Sequence, residues 1–323
     1  MSTQKQQARS KTPQFSVIIP CWNAAGTLAD TLKSLQAQTC QDWEAILVDD
    51  GSSDDTPAIA ARFAEADPRF TMLATKRLGP SAARNLAGLS HAKGEFLAFL
   101  DSDDVWMPAK LSASLLRLRQ DASLSGVYGQ ISFFRVSPET PETYSTVYTR
   151  DLVAADFLRD NPVCTMSNLV LRRAAFVQAG GFDTSIVHNE DVELLVRLAA
   201  AGGKIAGIDQ HLVCYRTSLT GLSTNLRLMR AGWHKALETL QASPAALSPM
   251  EIAAADAGNL RYLARRALRT GAPGLEALRL AVAGARRSPK SFFSPLRRGG
   301  FTMLGALAAP LLPRAVRSHV FCR

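Results

Sequence analysis

The first hundred residues alternate between short continuous apolar runs and longer stretches with helical spacing. The runs over 15–20 and 45–48 are too uniformly apolar for exposed edge strands, so we expect buried strands there. Between them, 27–39 carries leucines at i, i+4 and i+7, which predicts a helix with one buried face. The same signals predict helices over 57–66 and 81–91, and strands over 70–74 and 95–100. This alternation is typical of an α/β fold with a mostly parallel sheet covered by helices.

The pattern continues less regularly toward the C-terminus. It predicts a helix over 108–119, a strand over 126–136, a loop with a helix over 137–161, a strand over 167–172, a helix over 190–201, and two short strands over 204–208 and 212–215. Beyond residue 218, Ala, Leu and Arg recur at helical spacing. We therefore expect three parts: a flexible polar arm over 1–14, an α/β domain over 15–216, and a helical C-terminal region over 217–323.

Composition and charge change this picture in one respect. The 47% hydrophobic content can bury a core, which excludes a disordered chain. The formal net charge of +9 is concentrated in the C-terminal region, where residues 257–323 hold 13 Lys and Arg against one acid. Residues 1–256 are slightly acidic. We therefore expect no nucleic-acid partner, and the basic character belongs to the C-terminal helices.

Cysteines and apolar runs bear on the cellular setting. The five cysteines are scattered and form no C-x-x-C pair, which argues against a disulfide framework or a structural zinc site. No apolar signal-peptide run follows the polar N-terminus. The longest apolar run, 301–312, is shorter than the roughly 20 residues of a membrane span. We expect a cytoplasmic protein, with peripheral attachment to the inner face of the cytoplasmic membrane as an option.

Three predicted strands end in residues that carry chemistry. The first ends at Pro20-Cys21-Trp22, the second at Asp49-Asp50-Gly51-Ser52, and the fourth at Asp101-Ser102-Asp103-Asp104. Because ligands bind beyond the carboxyl ends of parallel strands, we expect these residues to line one crevice. An Asp-x-Asp pair can hold Mg²⁺ or Mn²⁺, which commonly complete their coordination with phosphate and water. A solvated acidic turn is the alternative, and the position directly after a buried strand favours the metal site.

Each of the other polar positions is compatible with a functional role and with a purely structural role. Asp50 can accept a hydrogen bond from a nucleobase or a ribose hydroxyl, or simply belong to a turn. Glu190 and Asp191 begin a predicted helix, where acids complement the helix dipole; one facing an acceptor hydroxyl would instead serve as a general base. Arg84 can pair with a phosphate or with a nearby acid.

Taken together, these blocks resemble the inverting family 2 glycosyltransferases, which have a nucleotide-sugar-binding GT-A fold. The resemblance covers roughly 15–216 and keeps the order and spacing of every block. Its blocks are FSVIIPCWN at 15–23, LVDDGSSDDT at 47–56, GPSAARNLAG at 79–88, GEFLAFLDSDDVWMP at 94–108, GGFD at 180–183 and HNEDVELLVRL at 188–198.

The resemblance implies a role for each matched residue. Pro20 and Trp22 correspond to residues that line the nucleobase pocket, and Asp50 to the carboxylate that contacts the base. Arg84 corresponds to an arginine facing the donor nucleotide. In the D-x-D, Asp101 lies near ribose and Asp103 on the metal. Asp191, paired with Glu190, corresponds to the catalytic base.

The resemblance also implies the reaction and its partners. The donor is a nucleotide-diphosphate sugar, the cofactor Mg²⁺ or Mn²⁺, and the acceptor a glycan or lipid-linked hydroxyl in bacterial surface polysaccharide or glycolipid assembly. Asn189 stands where Gly is frequent, which bears on the shape of the acceptor loop. The Q-x-x-R-W string of processive members is missing after Asp191, so a single-addition transferase is favoured over a polymerase.

Two other functions remain open at this point. Asp101-Ser102-Asp103-Asp104-Val105 also fits the first motif of haloacid-dehalogenase-type phosphatases, although that motif normally opens its fold. A catalytically idle nucleotide-sugar-binding membrane scaffold is the other alternative. For the C-terminal region, the basic residues suit either a helix lying on an anionic membrane or a helical cap on the catalytic domain. The apolar residues that would face the membrane in the first case are Phe292, Phe293, Phe301, Met303 and Leu304.

Overall fold

The computed structural model describes residues 12–217, 221, 224–313, 316–317 and 320. Most of the predicted N-terminal arm therefore lies outside the described residues, as do Cys322 and part of 217–224. The other four cysteines, Cys21, Cys40, Cys164 and Cys214, are free thiols. None of the helices in these ranges is long and apolar enough to span a membrane.

The described strands form one mixed sheet. They are β1 (Phe15–Cys21), β2 (Trp43–Asp49), β3 (Phe70–Ala74), β4 (Phe96–Phe99), β5 (Val105–Trp106), β6 (Leu124–Phe134), β7 (Thr143–Tyr144), β8 (Val170–Arg172) and β9 (Lys204–Arg216). Their order is β3-β2-β1-β4-β8-β6-β9-β5, and β7 pairs with β6. The β1–β4 part is parallel, β8 runs antiparallel to both of its neighbours, and β6 pairs in parallel with β9. The predicted α/β class is confirmed.

Helices connect the strands and continue beyond the sheet. They are α1 (Leu28–Gln36), α2 (Thr56–Ala66), α3 (Pro80–Asn85), α4 (Lys110–Gln120), α5 (Ala154–Asp160), α6 (Arg173–Gln178), α7 (Glu190–Ala200), α8 (Leu226–Gln241), α9 (Pro249–Arg269), α10 (Gly274–Arg287), α11 (Pro289–Phe292) and α12 (Leu296–Ala308). A π-helical turn, Leu86–His91, continues α3. Short 3₁₀ turns cover Met166–Asn168 and Ala309–Leu311.

The central strands are buried on both faces, which explains their unbroken apolar runs. In β1, Ile18 packs into one hydrophobic core, while Val17 and Ile19 pack into a second core. Neighbouring β4 does the same, with Leu97 in the first core and Ala98 in the second. Because successive side chains of a strand point to opposite faces, only a sheet covered on both sides accepts such a sequence.

The C-terminal helices pack onto the α/β part of the chain. Trp233 and Leu240 of α8 and Ala255 of α9 belong to the same hydrophobic core as Leu194 of α7. The indole Nε1 of buried Trp233 donates a hydrogen bond to the carbonyl of Leu158 in α5, at 2.7 Å. A further core holds α9, α10 and α12 together. Helices α8 and α9 thus cap the α/β part, and the domain boundary at 216 and 217 remains a prediction.

The structure differs from the predicted elements at several places. The two strands predicted at 204–208 and 212–215 are one strand, β9, because its pairing with β6 continues through irregular register shifts around Gln130. The two-residue strand β5 and the short helix α6 were not predicted. Both are shorter than the periodicity that reveals an element in sequence.

Candidate active site

One cavity of about 760 Å³ lies beyond the carboxyl ends of β1, β2 and β4. Its lining includes every site residue predicted from the sequence, namely Pro20, Trp22, Asp50, Arg84, Asp101, Asp103, Glu190 and Asp191. The predicted convergence of the strand ends is therefore observed. The role of each residue remains a prediction.

A buried arginine joins two parts of this cavity. Arg84 is 5% exposed; its Nη2 donates to Asp101 at 2.7 Å and its Nη1 to Glu190 at 2.9 Å. Burial opposes the charged form of Arg84, but the two carboxylates outweigh burial and raise its pKa. The guanidinium therefore fixes the end of β4 against the first turn of α7.

The second acid of the Glu-Asp pair has a different environment. Asp191 accepts a hydrogen bond from Nδ2 of Asn161 at 2.9 Å. Burial, and then the neighbouring Glu190, raise the pKa of Asp191 to about 7. A carboxylate with a pKa near neutrality is suited to take up a proton during a reaction at physiological pH.

The aspartates after β4 crowd negative charge into a small volume. Burial and Asp101 raise the pKa of Asp103 to about 6, with Arg216 acting in the opposite direction. Asp104 is fully buried; burial and its two acidic neighbours raise its pKa, and its Oδ2 has no hydrogen-bond partner among the described residues. A divalent cation would relieve this repulsion.

Asp103 is the aspartate best placed to hold such a cation. Asp101 already accepts hydrogen bonds from Arg84 and from the Thr165 hydroxyl, which occupy both of its oxygens. The Asp103 carboxylate accepts none from another residue in the described ranges and lines the cavity. The described residues contain no group of three metal-ligating side chains, so an ion at Asp103 would need phosphate or water ligands as well.

The predicted base contact, Asp50, also organises its own loop. Its Oδ1 accepts from the Thr75 hydroxyl at 2.6 Å and from the Leu78 amide at 2.7 Å, and its Oδ2 accepts from the Gly79 amide at 2.7 Å. Burial favours the neutral acid, but these hydrogen bonds outweigh burial and lower its pKa. Asp50 thus stays ionised and keeps part of Oδ2 for a ligand.

Trp22 presents an aromatic face beside this loop. Its side chain is 48% exposed, and the guanidinium of Arg77 lies 4.4 Å from the ring centroid. An exposed aromatic ring at a cavity mouth can stack on a planar ligand such as a nucleobase.

Several lining residues were not predicted from the sequence. They are Asn161, Thr165, Tyr215, Tyr262 and the arginines Arg265, Arg266, Arg269 and Arg298. The charge count identified the arginines as a basic region but did not place them at the cavity. Within α9, the spacing of Tyr262, Arg266 and Arg269 at i, i+4 and i+7 puts them on one face, and that was the available signal.

Comparison with known proteins identifies the family. The model of glycosyl transferase family 2 matches residues 16–179, about half of the chain, and the chain belongs to this family. WfgD of Escherichia coli, a UDP-Glc:alpha-D-GlcNAc-diphosphoundecaprenol beta-1,3-glucosyltransferase, is 29% identical over 213 residues, which cover 65% of this chain and 79% of WfgD. The amylovoran biosynthesis glycosyltransferase AmsB of Erwinia amylovora is 29% identical over 226 residues, covering 64% of this chain and 70% of AmsB.

Not every relative matches over most of its length. An uncharacterized glycosyltransferase of Rickettsia conorii is 29% identical over 218 residues, and the match spans only 35% of that protein. The chain thus spans about a third of the length of this relative.

Solved structures with the same fold confirm the predicted GT-A architecture. TarS of S. aureus in complex with UDP-GlcNAc has a TM-score of 0.61 at 15% identity, over 89% of this chain and 92% of that chain. The mannosyltransferase PcManGT of Pyrobaculum calidifontis, in complex with GDP-Man and Mn²⁺, has a TM-score of 0.60 at 20% identity, over 96% and 88%.

Family membership decides against the phosphatase alternative. The geometry agrees, because Asp101, the first aspartate of the phosphatase-like string, has both oxygens engaged by Arg84 and Thr165.

Proposed function

We propose that this protein is a metal-dependent, inverting glycosyltransferase that moves one sugar from a nucleotide-diphosphate donor to an acceptor hydroxyl. The observation that carries the proposal is one cavity that holds two acids: Asp103, whose carboxylate accepts no hydrogen bond from another residue in the described ranges, and Asp191, whose pKa is about 7. The complexes of TarS with UDP-GlcNAc and of PcManGT with GDP-Man support a nucleotide-sugar donor.

The donor side of the cavity is formed by the residues after β1, β2 and β4. Trp22 and Pro20 would pack on the nucleobase, Asp50 would accept a hydrogen bond from it, and Asp101 would lie toward the ribose. Asp103 would hold Mg²⁺ or Mn²⁺ together with donor phosphate oxygens. When bound, such an ion neutralises charge on the departing nucleoside diphosphate. The Mn²⁺ in the PcManGT complex supports this assignment.

The acceptor side contains the proposed base. Asp191 would accept the proton of the acceptor hydroxyl while that oxygen attacks the anomeric carbon from the face opposite the leaving group, which inverts the configuration. Asn161 holds the Asp191 carboxylate through its Nδ2, and Glu190 is held by Arg84, so the base has a fixed position relative to β4. The proposed mechanism needs one carboxylate as a base, and we assign that role to Asp191.

The names of two relatives support a role in bacterial surface polysaccharide or glycolipid assembly. WfgD acts on a diphosphoundecaprenol-linked acceptor and AmsB belongs to amylovoran biosynthesis. We accordingly propose a glycan or lipid-linked acceptor and a place at the inner face of the cytoplasmic membrane. An exposed apolar face on α12, with Phe301 65% and Leu304 64% exposed, supports attachment to an anionic membrane surface.

Donor hydrolysis tests the chemistry without knowledge of the acceptor. UDP-, GDP- and dTDP-sugars would be incubated with the full chain and Mn²⁺ or Mg²⁺, and nucleotide release measured. We expect metal-dependent release from one donor and a loss of at least about 100-fold in Asp103→Ala, by removal of the ion's protein ligand. Asp209→Asn, an exposed carboxylate in β9 outside the cavity, is the matched control and should retain activity.

Calorimetric titration with each nucleotide sugar measures donor binding directly, and it remains informative if hydrolysis requires a bound acceptor. Donor binding that depends on metal and is weakened in Asp103→Ala supports the proposal. Failure of the wild-type chain to bind any donor would overturn it, and binding without turnover in the presence of acceptor would favour the idle scaffold.

A further inference from the structure

A group of arginines from the C-terminal helices lines the cavity beside the proposed reaction centre. These are Arg265, Arg266 and Arg269 of α9 and Arg298 of α12. Within 224–313, no acidic residue lines the cavity. These four residues, called the arginine wall below, bring positive charge to the cavity.

Arg265 is the clearest case of unneutralised charge. In the described parts of the chain it makes no hydrogen bond and no ion pair, although it is partly buried. Burial, followed by repulsion from Arg269 and Arg298, lowers the pKa of Arg265 to about 10. A partly buried guanidinium without an anion is costly, which favours a bound anion at this place.

Asp160, the carboxylate that the described residues bring close to Arg298, is already shared. Asp160 Oδ2 lies 2.8 Å from the fully buried Arg261 and 3.9 Å from Arg298. Asp160 also acts on Arg265 from a distance, in the direction that stabilises its charge. One carboxylate thus faces three guanidinium groups, which leaves an excess of positive charge for a ligand.

Arg298 lies on the side of the proposed base. Asp160, whose Oδ2 is 3.9 Å from Arg298, is followed in the chain by Asn161, and Asn161 Nδ2 donates to Asp191 at 2.9 Å. Burial raises the pKa of the Cys164 thiol, on which Arg298 and Asp191 also act, in opposite directions. Arg265 belongs to the same side, since repulsion from Arg298 adds to the effect of burial in lowering its pKa.

We infer that Arg265 and Arg298 bind a phosphate or diphosphate group of the acceptor, next to the sugar whose hydroxyl Asp191 deprotonates. This rests on the proposed function, because Asp191 defines the acceptor side. Guanidinium groups bind phosphoryl oxygens in bidentate fashion, and a diphosphate matches two arginines from adjacent helices. The acceptor class is then a sugar joined to its carrier through phosphate, rather than a neutral glycan.

The test uses hexyl diphosphate as a probe and calorimetry on the full chain in EDTA, so that neither turnover nor a divalent ion is required. We expect wild-type binding, a loss of at least about ten-fold in Arg265→Gln and in Arg298→Gln, and partial retention in Arg265→Lys. Arg279→Gln, an exposed α10 arginine outside the cavity, is the matched control for charge and should bind like wild type. Thermal unfolding of each variant checks that folding is intact.

The outcomes distinguish binding of the probe at the proposed acceptor site from binding at the donor site. Binding that appears only when Mn²⁺ replaces EDTA and is lost in Asp103→Asn would assign the probe to the donor site and overturn the inference. No binding to wild type, or equal losses in Arg279→Gln, would overturn it as well. Hexyl phosphate binding as tightly as the diphosphate would identify a monophosphate-linked acceptor. None of these measurements uses a nucleotide sugar, so failure of this inference can be told apart from failure of the proposed donor chemistry.

Discussion

At the scale of single residues, Arg84 explains how two distant chain segments form one site. The helix α3 that carries it is far in sequence from α7, yet its guanidinium bonds both Asp101 and Glu190. Replacing a buried arginine of this kind leaves its carboxylate partners uncompensated, which costs about 3–5 kcal/mol in comparable cases. Arg84 therefore stabilises the fold and also fixes the geometry of the site.

The pH dependence of transfer is a residue-scale prediction. Asp191 must be ionised to accept a proton, and its pKa is about 7, so the rate should rise with pH and level off above neutrality. Asn161→Ala removes a hydrogen bond that favours the ionised form, so the pKa of Asp191 should rise and the midpoint should move to higher pH. Initial rates of transfer from pH 5 to 9 measure both effects.

The control for this profile is the donor-binding step. Donor affinity measured over the same pH range should not follow the Asp191 midpoint. A wild-type rate that is flat through neutrality, or an Asn161→Ala midpoint equal to that of wild type, would contradict the assignment of Asp191.

Sequence reasoning found site residues that follow strand ends and missed their partners. Asp50, Asp101 and Asp103 stand directly after buried strands, and the parallel topology sends them to one edge of the sheet. Asn161 reaches Asp191 from 30 residues away through the three-dimensional fold. No local pattern encodes a contact of that kind.

At the scale of elements, the contact of α8 with the start of α7 is especially close. Asn189, just before α7, donates from Nδ2 to the carbonyl of Met229 in α8 at 2.7 Å. A Cβ on Gly232 of α8 would lie 1.8 Å from the carbonyl oxygen of His188. Backbone packs on backbone here, immediately before the Glu190–Asp191 pair.

We expect Gly232→Ala to lower the free energy of unfolding by about 2–3 kcal/mol, because main chain must move to admit the methyl group. Gly300→Ala in α12 is the matched control, since nothing lies within 4 Å of its added Cβ. Alanine is the better helix former, so the control should be neutral or slightly stabilised. Urea denaturation measures both; equal stability of the two variants would show that α8 does not pack as described.

The elements that could be predicted are those with long periodic signals. The β1–β4 strands and their helices were found because their apolar runs are bounded and alternate. The irregular β9 was split in two because Asp209 and Gln210 interrupt its apolar pattern, while its backbone pairing continues. Strand pairing is made by the main chain, which the side-chain pattern reports only indirectly.

At the scale of the whole molecule, the C-terminal helices face two environments. Arginines of α9, with Arg298 of α12, form the arginine wall of the cavity, whereas α12 also exposes a stripe of large apolar side chains. The stripe comprises Leu296, Phe301, Leu304 and Leu307, with Leu311 just beyond the helix. Exposed basic residues such as Arg297 accompany it. From the sequence, the inward arginines and the outward basic residues form one basic region. The spacing of the arginines does not show which of them point into the cavity.

Vesicle flotation tests the outward face. We expect the full chain to float with anionic vesicles at low salt, and the triple variant Phe301→Gln, Leu304→Gln and Leu307→Gln to bind several-fold more weakly. Leu116→Gln, a similarly exposed apolar residue of α4, is the matched control. Flotation of the triple variant equal to that of wild type would contradict attachment through α12. Deleting the region is unsuitable, because α9 forms part of the hydrophobic core.

The order of the site residues along the chain has an evolutionary consequence. Trp22, Asp50 and Asp103 all lie within the first 103 residues, whereas Asp191 and the arginine wall come later in the chain. Under the proposed roles, donor chemistry and acceptor recognition are thus encoded one after the other along the reading frame. Mutation or recombination confined to the segment that begins near Asp191 can then redirect the sugar to a new acceptor while the inherited donor segment stays intact, so one ancestral donor segment can serve many different glycan linkages.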